Sequence, residues 1–261
     1  MVLYAWLARA LDACRRRAGL VVVKTHSLYT PPLGPDSVVV DLGANVGDFT
    51  QEVNRRFGCT CHAIEANPEM AARIERNDRV LVYNQAIAER DGPVTIVLSS
   101  NPEATSMLPE VAEQYGVRGT IECPGVTLEH FLQANRIARV DLLKVDIEGA
   151  ERELFQSTGE ATLRGIGQIT IEFYDFIPRT ISSVEVRRIR RRLERLGFVC
   201  LPFSYMFPGM ETCDLLFVNL RVCRGNRRTR WTFWIIKALL RLQWIKVRLK
   251  FGGPHRDARA G

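Results

Sequence analysis

Five acidic side chains stand where a chain of this kind could do chemistry. Asp41 ends the apolar run Val38-Val39-Val40 and opens a turn bracketed by Gly43 and Gly47. Glu65 ends a second run, His62-Ala63-Ile64, and Asp146 and Glu148 follow a third, Leu142 to Val145, with Gly149 behind them. Glu172 closes a fourth, Gln168 to Ile171. Short apolar runs of this type read as parallel strands buried on both faces. Ligands of an open parallel sheet gather outside the C-terminal ends of its strands. Carboxylates there are costly unless solvated, paired or functional, and Lys144 is available as a partner.

The turn after Asp41 is not a phosphate loop. A pyrophosphate needs bare backbone, and a carboxylate beside it repels; GxGxxG is also absent, which disfavours a nicotinamide-dependent oxidoreductase. A carboxylate next to a narrow backbone cradle suits a ligand bearing an ammonium or sulfonium charge, such as S-adenosylmethionine. Glu65 lies at the spacing where an acid takes both ribose hydroxyls. Either acid alone would read as an incidental surface charge at an ordinary strand-to-helix turn; the two in register point to the ligand.

The elements that must position these residues follow from periodicity. Strands are predicted near 37–42, 60–64, 80–84, 140–145, 166–172, 197–202 and 213–219. Helices are predicted near 48–57, 67–76, 127–135, 149–156 and 183–196. That alternation implies an α/β fold with a parallel sheet covered on both faces. Val94 to Leu98 reads as an extra strand. The Pro-, Gly-, Ser- and Glu-rich stretch 99–124 reads as a lid or acceptor loop. Residues 1–30 divide into an amphipathic helix (Leu3, Trp6, Leu7, Ala10, Leu11 and Cys14 on one stripe) and a linker; 31–220 form the main domain and 221–261 a basic tail.

Net charge is +7, unevenly placed. Residues 221–261 carry twelve Lys/Arg and one acid, hence +11, which leaves −4 for the rest. A mildly acidic globular part gives no reason to expect nucleic acid. Within the tail, Trp231, Trp234, Ile235, Ala238, Leu242, Ile245 and Leu249 share a helical stripe interrupted by cations. The pattern suits either an anionic membrane surface or docking on the body. The apolar runs are too short to span a bilayer, which needs about 20 residues. Seven scattered cysteines without CxxC read as reduced thiols, with Cys59 and Cys61 as small buried apolar residues, and the expected location is cytoplasmic or peripheral on the inner membrane face. Oligomeric state is not legible.

Four stretches together resemble the FkbM-type methyltransferases: VVVDLGANVGDFT at 38–50, AIEANP at 63–68, YNQAIAERDG at 83–92 and LLKVDIEGAERELF at 142–155, with Glu172 closing the fifth strand. The resemblance spans roughly 37–175. It implies a Rossmann-like seven-stranded, mostly parallel sheet and an enzyme that methylates a hydroxyl of a sugar, glycan, glycolipid or secondary metabolite with S-adenosylmethionine. It implies that Asp41, Gly43, Asn45 and Gly47 hold the methionine end of the donor and Glu65 its ribose. Asn84 and Gln85 would border the adenine, and Asp146 would sit beside the methyl. Glu148 and Glu172 would lie near the acceptor hydroxyl, with Asp146 or Glu148 as its base. Mg2+ is compatible with acids at three strand ends, but the spacing does not demand it and no metal ligand is assigned. His130 falls in a predicted helix and reads as a packing or surface residue. Tyr174, Asp175 and Phe176 offer stacking and hydrogen bonds to a sugar. The competing reading is an inactive scaffold of the same fold, or a membrane-associated subunit whose basic tail is the working part.

Overall fold

A computed structural model describes residues 2–100, 107–113, 116–173, 180–202, 214–223 and 227–251. The chain opens with α1 (Val2–Ala18) and a hairpin of β1 (Leu20–Val23) and β2 (His26–Tyr29). Strands and helices then alternate through β3 (Val38–Leu42), α2 (Asp48–Phe57), β4 (Thr60–Ile64), α3 (Pro68–Ala71) and β5 (Val80–Tyr83). A side layer follows, made of β6 (Ala86–Ile87), β7 (Gly92–Ser99), α4 (Pro109–Glu113) and β8 (Val117–Val126). Alternation resumes with α5 (Leu128–Ala134), β9 (Leu142–Val145), α6 (Glu151–Ser157), α7 (Glu160–Arg164) and β10 (Gln168–Glu172). Last come α8 (Ser183–Leu196), β11 (Phe198–Pro202), β12 (Asp214–Asn219) and α9 (Arg227–Phe251).

Seven strands form the main sheet in the order β11-β12-β10-β9-β3-β4-β5. β12 runs antiparallel to both its neighbours, and the remaining pairs are parallel. This is the Rossmann-like, mostly parallel architecture expected. Successive strand residues point to opposite faces. Val39, Cys61, Ala63 and Leu142 therefore pack with Phe49 and Val53 of α2 on one side. Val40, Leu42, Leu143, Val145 and Ile171 pack with Phe131 and Phe155 on the other. Cys59 and Cys61 are free and fully buried, as small apolar residues should be.

Three expectations are corrected. Residues 20–29 are not a linker but a hairpin, whose tip places Lys24 at φ 45 and Thr25 at φ 71. A type I′ hairpin turn of this kind has positive φ at both central positions, normally supplied by Asn-Gly or Asp-Gly. Lys-Thr carries no such signal, so the turn is invisible to pattern reading. The hairpin is tied to the sheet by Gln168, whose side-chain amide accepts from Tyr29 N and donates to Tyr29 O, both at 2.8 Å. The helix over 67–76 shrinks to one turn, α3, capped by Asn67. Much of 99–124 is not loop: β8 pairs along β7, and β6 joins them in a three-stranded sheet. Tyr174, Asp175 and Phe176 lie outside the described residues.

α9 docks, but through a different stripe from the one the spacing suggested. Phe233, Ile236 and Leu240 are buried in a cluster with Leu11 of α1, Leu20, Tyr29, Leu201 and Leu216. Trp231, Trp234, Ile235 and Leu242 face outward. The side chains of Ile245 and Leu249 lie outside the described part. No helix among the described residues is long and apolar enough to cross a membrane.

Candidate active site

A cleft of about 510 Å³ opens at the C-terminal ends of β3, β4 and β9. That volume lies in the range of small-molecule sites, about 300–1,000 Å³. Of the residues singled out from the sequence, Gly43, Asn45, Glu65, Gln85, Asp146, Glu148 and Glu172 lie on its wall. Asp41, Gly47 and Asn84 do not.

Asp41 is the instructive case. It was expected to protrude toward a cationic ligand; instead its side chain has no exposed surface. The register of β3 against β9 pairs Asp41 with Lys144, so the two side chains point to the same face, under the first turn of α2. Thr50 Oγ1 donates to Asp41 Oδ2 at 2.6 Å, and Lys144 Nζ stands 3.2 Å from Oδ1 as an ion pair. Lys144 also donates to Gly43 O at 2.6 Å and lies 3.2 Å from Asp146 Oδ2. Burial opposes charge on Lys144, but Asp146 and Asp41 outweigh it and hold its pKa above the usual lysine value. Asp41 thus reaches the cleft only through Lys144, which is itself on the wall.

Asp146 follows the last paired residue of β9 and stays partly open to the cleft. Burial pushes its pKa up, yet Lys144 and the His26 ring prevail and hold the carboxyl well below the ordinary range. His26 Nε2 is 3.6 Å from Asp146 Oδ2, an ion-pair distance longer than a hydrogen bond. The imidazole packs edge-on to Phe49, centroids 5.4 Å apart. Lys24, Thr25 and His26 all line the cleft, and sequence reasoning missed all three because it missed the hairpin. Lys24 Nζ pairs with Asp48 Oδ2 at 2.9 Å across the rim.

Glu65 sits where the spacing put it. Its Oε2 accepts from Asn45 N and its Oε1 from Asn67 N, each at 2.8 Å. Burial raises its pKa, and the two backbone N–H groups work against that rise. A carboxylate has about four lone-pair sites, so each oxygen keeps capacity for one more donor. Asn84 does not border the cleft; its amide donates to Glu65 O and Ala66 O at 2.9 Å and clamps the end of β4. Ile64 and Ala66 at the end of β4, with Ala86, Ile87, Ile96 and Met107 from the side layer, give the cleft an apolar wall.

The glycines are required by the backbone itself. Gly43 has φ 76, and a Cβ there would lie 1.8 Å from the carbonyl oxygen of Asp146. The turns after β3 and β9 touch at this point. Gly47 has φ 85 and faces Ile74 rather than the cleft, serving as the N-terminal cap position of α2. Glu148, with φ 53, holds a left-handed conformation unusual for its type. Behind it, the fully buried Glu151 accepts from Gly149 N at 3.0 Å, its second oxygen unpartnered, and burial pushes its pKa up to about 8. His130 pairs with Asp91 at 2.6 Å on the surface and is not on the cleft wall. Among the described residues no group of three or more His, Cys, Asp or Glu is placed to hold a metal ion.

Residues 41–200 match the family model described as the methyltransferase FkbM domain. Among curated relatives, AMB antimetabolite synthetase AmbE of Pseudomonas aeruginosa is 23% identical over 222 residues, covering 66% of this chain. The chain spans 10% of the length of that protein. The 31-O-demethyl-FK506 methyltransferase FkbM of Streptomyces tacrolimicus is 26% identical over 176 residues, 55% of this chain and 67% of that one. Among solved structures, a fibrillarin pre-rRNA processing protein of Methanococcus jannaschii aligns with a TM-score of 0.40 at 12% identity, covering 79% of this chain and 73% of that one.

Proposed function

The chain belongs to the FkbM methyltransferase family, and on that premise we propose that it transfers a methyl group from S-adenosylmethionine to a hydroxyl of a sugar, glycan, glycolipid or secondary metabolite. The catalytic unit on this reading is 31–220. What carries the reading is one cleft whose wall brings together Glu65, the 43–46 backbone and Asp146. The named relative that methylates the 31-oxygen of an FK506 precursor supports oxygen as the target.

The residues present fit the donor. Glu65, already polarised by two backbone N–H groups, has lone pairs left for two ribose hydroxyls. The apolar wall beside Gln85 and Ala86 suits a flat base. Asp146 supplies a fixed negative charge at the far strand end, and Lys144 with Asp41 beneath it keeps that charge ionised. Bound there, S-adenosylmethionine would supply an electrophilic sulfonium methyl whose carbon–sulfur pair leaves with the thioether. The protein then has to align an oxygen and exclude water, for which holding atoms about 3–3.5 Å apart does much of the work.

A hydroxyl also profits from a base, worth about 10²–10⁴-fold. Asp146, held well below the usual carboxylate range, is a weak proton acceptor, which moves the expectation away from it. His26 stands beside it on the same wall. A ring nitrogen of His26 takes the proton as the acceptor oxygen bonds the methyl carbon, and Asp146 faces the resulting imidazolium. Glu148 and Glu172 are left to orient the acceptor.

Calorimetric titration with S-adenosylmethionine and with NAD tests the cofactor. Binding of the first alone is expected; binding of NAD overturns the reading, and binding of neither favours an inert scaffold. Methyl transfer from labelled donor to a hydroxyl-bearing panel should yield alkali-stable ethers. For the base, His26→Gln should lower kcat at least about 10²-fold with donor Kd unchanged. If Glu148→Gln has that effect and His26→Gln does not, the proton goes to Glu148.

A further inference from the structure

α9 is longer and more basic than its docking requires. Its 25 residues contain eight Lys/Arg and no acid. Phe233, Ile236 and Leu240 are at most 1% exposed and satisfy the packing against α1 and the sheet. At 100° per residue, Trp231, Trp234, Ile235 and Leu242 fall on the opposite side of the helix. They are 65%, 64%, 41% and 52% exposed. The two indoles lie edge to face, centroids 6.0 Å apart, and form one apolar ridge. Large exposed apolar side chains gathered in a patch mark an interaction surface.

The charge decides which surface. Lys237 is engaged with Glu194 of α8 at 3.7 Å, so it belongs to the docked side. Arg230 and Arg241 are exposed beside the ridge, with no acid anywhere in the helix to offset them. A second copy packed symmetrically on this ridge would bring cations against cations. An aromatic–aliphatic ridge flanked by Arg230 and Arg241, on a helix too charged to cross a bilayer, matches the interface of an anionic membrane. We propose that the outward face of α9 docks the protein on an anionic lipid surface, with Trp231, Trp234, Ile235 and Leu242 entering the headgroup boundary and Arg230 and Arg241 meeting the lipid phosphates.

The test uses the full chain and vesicles of phosphatidylcholine alone or mixed with phosphatidylglycerol. Sedimentation with the mixed vesicles is expected, with little on phosphatidylcholine alone. The attraction of basic residues to such a surface is screened by salt, so binding should fall at least about tenfold in high salt. Trp231→Ser with Trp234→Ser should weaken binding by a similar factor without changing Tm, because both rings are mostly solvent-exposed. Arg230→Glu with Arg241→Glu should abolish the preference for phosphatidylglycerol while the ridge is intact. No sedimentation on mixed vesicles, equal binding to neutral ones, or a concentration-dependent dimer that the tryptophan pair abolishes would each overturn the proposal. None of these readouts involves the methyl donor, so the outcome is independent of the catalytic reading.

Discussion

After β3 the backbone passes through Asn45 at φ 50, whose N–H is taken by Glu65; after β9 it passes through Glu148 at φ 53, and the next N–H is taken by Glu151. Both turns also carry an aspartate at the strand end. Their electrostatic states are opposite. On the β3 side Asp41 is sealed under α2 while its turn-holding carboxylate, Glu65, lines the cleft. On the β9 side Asp146 reaches the cleft while its turn-holding carboxylate, Glu151, is sealed. The difference arises from two residues of register, which keep both acids on the same face. Asp41 still lies within the paired strand, whereas Asp146 lies one place beyond it. The acid inside the ladder is sealed with the lysine; the acid just past it shares that lysine and still faces the cleft.

The hardest way to break this pairing of turns is at their contact. Gly43→Ala places a methyl against the Asp146 carbonyl at positive φ. The loss should exceed about 4–5 kcal/mol, and chemical denaturation should show a protein barely folded. Lys144→Met removes the cation shared by both aspartates. It leaves buried charge uncompensated and should cost about 3–5 kcal/mol by the same measurement. A smaller and more discriminating comparison sets Asp41→Asn against Asp146→Asn. The first should lower stability by about 2–3 kcal/mol and leave donor Kd nearly unchanged. The second should lower turnover far more than stability; equal effects from the two would erase the distinction drawn here.

The smallest effect is a slope. Glu151 has an ordinary pKa of 4.5 when unfolded and about 8 when folded, so the native state holds an extra proton between those values. Native stability therefore falls as pH rises from 4.5 to 8. Glu151→Gln, which mimics the neutral acid, lacks that slope. Denaturation should find the variant equal to the parent below pH 4.5 and more stable by about 1–3 kcal/mol at pH 8.

Much of the frame was legible because buried parallel strands leave a plain mark. The apolar runs at 38–42, 60–64 and 142–145 all became neighbouring strands, and the turn glycines fell where the chain needs positive φ. Glu65 was legible for the same reason, being one residue past its strand. Asp41 was misjudged because its fate depends on which residue of β9 lies opposite, and a single sequence does not state register. The hairpin at 20–29 was missed because Lys24 and Thr25 are poor turn residues, and what anchors it, the burial of Val23 and Leu28 and the Gln168 bonds to Tyr29, is not local. With it went His26, which no local pattern marks. The tail was half legible: its stripe of exposed side chains was visible, but Phe233, Ile236 and Leu240 were hidden among so many other apolar residues.

The cluster that unites Leu11, Leu20 and Tyr29 with Phe233, Ile236 and Leu240 has a consequence for biosynthesis. Its halves are made some 220 residues apart, roughly 10–40 s at about 5–20 residues per second. Until α9 leaves the ribosome, the side of that cluster covered by Phe233, Ile236 and Leu240 stays open to solvent. A nascent chain stalled before residue 230 should therefore recruit chaperones through its first thirty residues, and release them once the last helix emerges.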